Sequence, residues 1–332
     1  AGEAAFLVCR TAYPDARHWL VLCGHGNNGG DGYVVARLAK AVGIEVTLLA
    51  QESDKPLPEE AALAREAWLN AGGEIHASNI VWPESVDLIV DALLGTGLQQ
   101  APRESISQLI DHANSHPAPI VAVDIPSGLL AETGATPGAV INADHTITFI
   151  ALKPGLLTGK ARDVTGQLHF DSLGLDSWLA GQETKIQRFS AEQLSHWLKP
   201  RRPTSHKGDH GRVVIIGGDH GTAGAIRMTG EAALRAGAGL VRVLTRSENI
   251  APLLTARPEL MVHELTMDSL TESLEWADVL VIGPGLGQQE WGKKALQKVE
   301  NFRKPMLWDA DALNLLAINP DKRHNRVITP HP

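Results

Sequence analysis

Residues 24–32 read GHGNNGGDG, with five glycines in nine positions, and this stretch decides how the first half of the chain folds. The apolar run WLVLC precedes it, and the helix-like run YVVARLAKAV follows it. A glycine-rich junction between a strand and a helix usually cradles a phosphate. Here Asp31 lies where a phosphate would have to approach. The stretch therefore predicts a strand, a turn and a helix, with a ligand other than a simple phosphate.

Short apolar runs alternate with amphipathic stretches along both halves of the chain, as in parallel sheets with helical crossovers. In the first half we predict strands at 18–24, 44–50, 86–95, 119–128, 145–152 and 166–172, with helices near 32–42, 57–71 and 103–115. In the second half we predict strands at 212–218, 240–245, 277–287, 305–311 and 326–330, with helices near 222–237, 288–302 and 311–317. The alternation is lost between Leu173 and Gly211, so a domain boundary is predicted there.

Composition narrows the class of ligand. The net charge of −8 offers no excess of Lys and Arg to neutralise phosphates, so nucleic acid and anionic membranes are not expected as partners. The two cysteines, Cys9 and Cys23, predict neither a disulfide framework nor a zinc site, and a reducing, cytoplasmic location is expected. Both ends of the sequence have the pattern of chain interiors, so we expect the segment to belong to a longer protein.

Polar residues follow the predicted strands of the first half at the sheet edge where ligands bind in parallel α/β folds. They are Asn28, Asp91, Asp124 and Ser127, and all four carry oxygen atoms. Such oxygens suit a hard alkali or alkaline-earth cation. Asp124 is our candidate for proton transfer, because neighbouring charges can bring the pKa of a carboxyl in a cleft toward neutrality. The alternative is that Asp91 and Asp124 only cap turns and helices.

Dinucleotide binding is a second interpretation of the glycine-rich stretch. Gly24, Gly26 and Gly29 fit the pattern G-x-G-x-x-G, and Glu52 and Asp54 could bind a ribose. The nearby carboxylates weigh against a pyrophosphate here, since like charges about 4 Å apart repel by roughly 4 kcal/mol at an effective dielectric constant near 20.

Several motifs together resemble a known family. GHGNNGGDGYVVARLA, DALLGTGL, VDIPSGL and KPGLLTG resemble the epimerase domain of the bifunctional NAD(P)H-hydrate repair enzymes of the YjeF type. SHKGDHGRVVIIGG, GTAGAIRMTGEAALRAGAGLVRV, VIGPGLG, DADALN and ITPHP resemble the ADP-dependent dehydratase domain of that family. The resemblance implies an α/β protein with a Rossmann-like three-layer αβα domain at 1–175 and an incomplete ribokinase-like domain at 188–332.

For the first domain, the resemblance implies epimerisation of the R and S hydrates of NADH and NADPH, with Asp124 as the catalytic acid and base. It implies that K⁺ is held by Asn28, Asp91 and Ser127. The implied substrate contacts lie in two loops and at the catalytic acid: Asn27, Asn28, Gly29, Gly30, Asp31, Gly95, Thr96, Gly97, Leu98, Gln99, Gln100, Ala101 and Asp124.

For the second domain, the resemblance implies dehydration of the S hydrate with ADP and Mg²⁺ as cofactors. The implied substrate contacts are Ala225, Gly285 or Gly287, and His331. The family's ADP-binding segment and its catalytic aspartate lie downstream of the TPHP motif, so most of the ADP site is expected beyond residue 332. A homo-oligomer is also expected.

Two rival functions stay open at this point. One is an ordinary NAD-dependent dehydrogenase, which Asp31 and the second glycine-rich domain disfavour. The other is a non-catalytic metabolite-binding module that has kept the cleft.

Overall fold

The computed structural model of the chain describes residues 1–51, 53–78, 80–83, 85–184 and 186–331. The chain divides into two compact units, Ala1–Arg188 and Phe189–His331. Each unit contains one parallel sheet with helices on both faces, so the predicted fold class, two α/β domains, is confirmed. Within the part of the chain described, no helix is both long and apolar enough to cross a bilayer.

The sheet of the first unit has seven strands in the order β3-β2-β1-β4-β5-β6-β7. The strands are β1 (His18–Cys23), β2 (Glu45–Ala50), β3 (His76–Ala77), β4 (Leu88–Ala92), β5 (Ile120–Val123), β6 (His145–Phe149) and β7 (Gln167–Asp171). The helices are α1 (Gly2–Ala12), α2 (Asn27–Ala41), α3 (Glu59–Asn70), α4 (Glu104–Ser115), α5 (Ala161–Val164) and α6 (Asp176–Leu179).

Strand β1 is buried along its whole length because helices cover both faces of the sheet. Trp19 and Val21 face a core that includes residues of α1 and α2. Leu20 and Leu22 face the opposite core, which includes residues of α4 such as Ile110. This two-sided burial explains why β1 is a continuous apolar run.

The second unit has a six-stranded sheet in the order β10-β9-β8-β11-β12-β13. The strands are β8 (Arg212–Ile216), β9 (Leu240–Thr245), β10 (Met261–Glu264), β11 (Val279–Ile282), β12 (Met306–Trp308) and β13 (Arg326–Ile328). The helices are α7 (Leu194–Trp197), α8 (Ala223–Arg235), α9 (Ile250–Ala256), α10 (Met267–Trp276), α11 (Glu290–Val299) and α12 (Asp311–Ile318). Strands β3 and β10 are additional to those predicted from the sequence.

Candidate active site

The candidate site lies at the carboxyl edge of the first sheet, where the strand order changes direction. From β1 the chain passes through α2 to β2 on one side, and β4 lies on the other side of β1. Ligands of open α/β sheets bind in the crevice at such a switch point. The loops after β1, β4 and β5 meet there.

The glycine-rich stretch enters a helix earlier than predicted. Helix α2 begins at Asn27, so the prediction of a turn is wrong for residues 27–31, which form the first part of the helix. Close backbone approach explains the glycines: a Cβ on Gly24 would lie 1.7 Å from the Leu93 carbonyl oxygen, and one on Gly29 would lie 2.0 Å from the Gly24 carbonyl oxygen. The glycines allow α2 to start against the loop that follows β4.

Asn28, Asp91 and Ser127 come together as one hydrogen-bonded cluster. The Ser127 hydroxyl donates to Asp91 Oδ1 at 2.6 Å, and the Ser127 backbone N–H donates to Asp91 Oδ2 at 2.8 Å. Asn28 Nδ2 donates to the Leu94 carbonyl oxygen at 3.0 Å, and the Leu94 N–H donates to Ser127 Oγ at 2.8 Å. The loop after β4 therefore joins all three predicted cation ligands.

The cluster has the oxygen donors that a hard cation prefers. Asn28 Oδ1 is buried and has no hydrogen-bond partner among the described residues, and an unpartnered buried oxygen is costly unless a ligand satisfies it. Asp91 supplies a fully buried carboxylate, and Ser127 supplies a buried hydroxyl oxygen. The described residues contain no group of three or more His, Cys, Asp or Glu side chains suited to a metal ion. Amide, hydroxyl and carboxylate oxygens of this kind suit a hard cation.

Burial raises the pKa of Asp91 from 3.8 to about 6, although hydrogen bonds from Ser127 and Leu93 act to lower it. A raised carboxyl pKa favours the protonated form in the folded state. The stabilisation that protonated Asp91 gives the folded state is therefore fully present below pH 3.8 and is lost as the pH rises through about 6. The free energy of unfolding falls by about 3 kcal/mol over this range. A bound cation would offset this loss above pH 6.

Thermal unfolding should accordingly depend on K⁺ and on pH together. We expect K⁺, compared with tetramethylammonium at equal ionic strength, to raise the Tm more at about pH 7.5 than at about pH 5, because Asp91 is ionised at the higher pH. Asp91→Asn should lose most of this difference. Differential scanning calorimetry would measure it, and a K⁺ effect of equal size at both pH values would contradict the assignment.

Asp124 follows β5 and faces a cavity of about 510 Å³. Its φ of 68° lies in the left-handed region, which Asp tolerates better than most residues. Its Oδ1 accepts a hydrogen bond from Lys153 Nζ at 2.6 Å, and Nζ also donates to Thr148 Oγ1 and to the Phe149 carbonyl oxygen. About four-fifths of each side chain in this ion pair is buried. The pair therefore holds Asp124, which lines the cavity, in a fixed position.

Lys153 was not among the residues selected from the sequence. Lys153 occurs in the family-like stretch KPGLLTG. Because it lies 29 positions from Asp124, the local sequence does not indicate that the two side chains form a pair.

Gly95 and Asp31 are the neighbours of Asp124 in this cavity. A Cβ on Gly95 would lie 3.4 Å from Asn28 Cβ and 3.5 Å from Asp124 Oδ2, so Gly95 separates the cation cluster from the acid. Asp31 accepts a hydrogen bond from the Gly2 N–H at 2.9 Å. Burial, with a smaller contribution from Asp124, raises the pKa of the Asp31 carboxyl.

Most of the predicted substrate contacts line this cavity. The lining includes Asn27, Asn28, Asp31, Gly95, Thr96, Gly97, Leu98 and Asp124. Gly29 and Gly30 instead allow close packing, against Gly24 and Ala61 respectively. The remaining predicted contacts, Gln99, Gln100 and Ala101, are exposed and lie outside the cavity lining. Of the two candidate ribose ligands, Asp54 is exposed and Glu52 lies outside the described residues.

In the second unit, three of the predicted contacts lie close together: Ala225 is in the first turn of α8, and Gly285 and Gly287 are in the loop after β11. The Thr222 hydroxyl donates to the Gly285 carbonyl oxygen at 2.8 Å, and the Ala225 N–H donates to the Thr222 carbonyl oxygen. The Gly287 N–H donates to Asp311 Oδ2 at 2.8 Å. His331 follows β13 and is exposed, and no hydrogen bond among the described residues links it to these loops.

Asp219 and Arg246 lie beside this cluster. Arg246 Nε donates to Asp219 Oδ1 at 2.8 Å, and a Cβ on Gly287 would lie 2.8 Å from Asp219 Oδ2. Burial acts to raise the pKa of Asp219, but the hydrogen bonds from Arg246 and the His220 N–H outweigh it, so the pKa is lowered. Asp219 is thus held as a carboxylate against the glycine loop after β11.

These features define a class: a two-domain α/β protein with a polar small-ligand cavity at the carboxyl edge of its first sheet. A family model described as YjeF-related protein N-terminus matches residues 1–155, and one described as NAD(P)H-hydrate dehydratase matches residues 213–332. The chain is 98% identical over 332 residues to the bifunctional NAD(P)H-hydrate repair enzyme Nnr of Escherichia coli, covering all of this chain and 64% of that relative. It is 47% identical over 368 residues to the bifunctional NAD(P)H-hydrate repair enzyme of Leishmania braziliensis, covering all of this chain and 66% of the relative.

The bifunctional NAD(P)H-hydrate repair enzyme Nnr of Vibrio cholerae is 42% identical over 334 residues, with all of this chain and 68% of that relative covered. The chain belongs to the family of bifunctional NAD(P)H-hydrate repair enzymes. It spans about two thirds of the length of these curated relatives.

Proposed function

We propose that the first domain interconverts the R and S hydrates of NADH and NADPH, with Asp124 as the acid and base. The observation that carries the proposal is the hydrogen bond from Lys153 to Asp124, which lines the cavity next to the cluster of Asn28, Asp91 and Ser127. The names of the relatives supply the substrate class.

The proposed reaction needs one proton transferred twice. Asp124 in its acid form gives a proton to the hydroxyl on C6 of the hydrated ring, the C–O bond breaks, and the nitrogen lone pair forms an iminium. Lys153 stabilises the resulting Asp124 carboxylate through its hydrogen bond. Water then adds to the opposite face of C6 and returns its proton to Asp124. The substrate is regenerated as its epimer, with no net consumption of water or protons.

We propose that Asn28, Asp91 and Ser127 hold K⁺ beside this acid. When bound, the cation supplies positive charge that offsets the carboxylates around a ligand which itself carries phosphates. The chain's own part is to bring together three types of oxygen, from α2, from β4 and from the loop after β5.

A direct assay tests the proposed epimerisation. Purified chain is mixed with the separated R hydrate, without ADP, and the S hydrate is followed by chromatography. The expected result is acceleration above the spontaneous rate. Tight binding of the hydrate without acceleration would favour the metabolite-binding module, and hydride transfer to or from the nicotinamide would favour the dehydrogenase.

Substituting Lys153 should slow this reaction without abolishing it. We expect Lys153→Met to lower kcat by up to about 100-fold, because Asp124 loses the hydrogen bond that orients it. Lys160→Met, at an exposed position in the same segment, is the matched control and should leave the rate unchanged. Equal rates for the two variants in the chromatographic assay would remove Lys153 from the mechanism.

For the second domain we propose ADP-dependent dehydration of the S hydrate to NADH or NADPH, with Mg²⁺ accompanying ADP. The match of residues 213–332 to the dehydratase family model supports this assignment. Substrate would lie near Ala225 at the start of α8 and near Gly285 and Gly287 in the loop after β11, with His331 as a further contact. The test is to add ADP to the purified chain and the S hydrate and to measure whether the absorbance of NADH or NADPH appears. The expected homo-oligomer and the cytoplasmic location remain predictions.

A further inference from the structure

A second cavity adjoins the one that contains Asp124. It has a volume of about 420 Å³ and lies beyond the carboxyl ends of β2 and β3. His25 and Gln51 line both cavities, so the two are neighbours across the loop after β1. Each volume falls within the roughly 300–1,000 Å³ typical of small-ligand sites.

The second cavity has a positive lining in a protein of net negative charge. Lys55 and Arg65 line it together with His25 and His76, and its described lining residues include no carboxylate. Two exposed acids are described next to the lining: Glu74, 4.0 Å from His76, and Asp54, which lies between Ser53 and Lys55 in the sequence. A ligand group that lies here is therefore expected to be anionic.

Arg65 is held against a buried aromatic residue. Tyr33 is almost fully buried and lines the cavity. Burial and Cys23 raise the pKa of Tyr33 to about 12, while the Arg65 guanidinium beside its hydroxyl acts to lower it. Leu57 and Ile75 supply apolar surface in the same cavity. The lining thus combines apolar surface suited to a base with cations suited to a phosphate.

The position in the sheet identifies which part of a dinucleotide would occupy this cavity. Asp124 follows β5, on one side of β1, and the second cavity lies beyond β2 and β3 on the other side. A dinucleotide bound across the switch point of an α/β sheet places its two nucleotides on opposite sides of it. With the hydrated nicotinamide at Asp124, the adenosine end falls in the second cavity.

We propose that the second cavity binds the adenosine end of the hydrated dinucleotide and that Lys55 and Arg65 bind the phosphate on its ribose, which favours the NADPH hydrate over the NADH hydrate. This inference rests on the function proposed above. Basic side chains beyond the second strand are a known means by which α/β folds accept that phosphate. The rival ligand is the pyrophosphate, which both hydrates share.

Kinetics with both substrates separate these possibilities. The kcat/KM for epimerisation is measured without ADP for the R hydrates of NADPH and NADH, using the unsubstituted chain, Lys55→Met, Arg65→Met and the double variant. We expect the ratio of kcat/KM for the NADPH hydrate to that for the NADH hydrate to fall about tenfold in the double variant. Equal losses for the two hydrates would assign the cations to the pyrophosphate and overturn the inference, as would an unchanged ratio.

Two further variants keep the result specific. Lys40→Met removes an exposed charge at the C-terminal end of α2 and should leave the ratio of the two kcat/KM values unchanged. Arg65→Lys retains a cation and should restore part of the ratio lost in Arg65→Met.

A binding measurement needs no catalysis. Calorimetric titration with adenosine 2′,5′-bisphosphate and with adenosine 5′-monophosphate should show a preference for the bisphosphate that falls about tenfold in the Lys55→Met, Arg65→Met double variant. If this preference is present but neither hydrate is epimerised, the proposed function fails and the inference stands. If the hydrates are epimerised but the preference is absent or insensitive to the substitutions, the inference fails and the function stands.

Discussion

Asp124→Asn is expected to lower kcat/KM for epimerisation by at least about 100-fold, because the amide can neither give nor take the proton that leaves with the hydroxyl. Asn has nearly the same shape as Asp and tolerates a positive φ, so the backbone conformation at 68° should persist. Asn Oδ1 can also still accept the hydrogen bond from Lys153. The chromatographic assay with the R hydrate, without ADP, measures the loss.

The matched control is Asp111→Asn, which makes the same chemical change at an exposed position on α4. It should leave the rate and the Tm unchanged. If Asp124→Asn retained activity within about twofold of the unsubstituted chain, another group would have to supply the proton. If the variant lost activity together with a large fall in Tm, the loss would report unfolding, so both measurements are made on the same samples.

The strands that are buried on both faces could be predicted from the sequence alone. Strands such as β1 and β4 are buried on both faces, which makes them continuous apolar runs that the sequence displays directly. The gathering of Asn28, Asp91 and Ser127 followed from the same reasoning, because parallel strands end at one edge. The topology predicted from the sequence therefore already places these side chains at one edge of the sheet.

Features that depend on tertiary contact were not predictable in this way. Helix α2 starts at Asn27, although Asn and Gly are poor helix formers, because packing against the loop after β4 outweighs local propensity. Lys153 reaches Asp124 from a loop after β6, and nothing in its local sequence indicates a partner 29 residues away. Strand β10 is short and half-exposed, so its apolar pattern is weak.

Gly29→Ala is expected to destabilise the first domain by about 3 kcal/mol. In an exposed helix this substitution would stabilise by about 1 kcal/mol, because Ala is the better helix former. Here the added Cβ would lie 2.0 Å from the Gly24 carbonyl oxygen, and backbone cannot move aside as the end of a flexible side chain can. The steric term therefore outweighs the propensity term. Native-state hydrogen exchange of the buried β1 amides in increasing urea measures the change in the first domain.

Gly26→Ala provides the comparison three residues earlier in the same stretch. A Cβ there meets no atom within 4 Å and the φ of −98° suits any residue, so only the poorer fit of Ala at the N-cap of α2 should matter, at a cost of about 0.5 to 1 kcal/mol. Because the two substitutions add the same methyl group, their difference isolates the contact between Gly29 and Gly24. Equal effects would mean that the start of α2 is not fixed by this backbone contact. The cation cluster would then lose its structural basis, since Asn28 lies in the same turn and reaches the Leu94 carbonyl oxygen only if that turn is held in place.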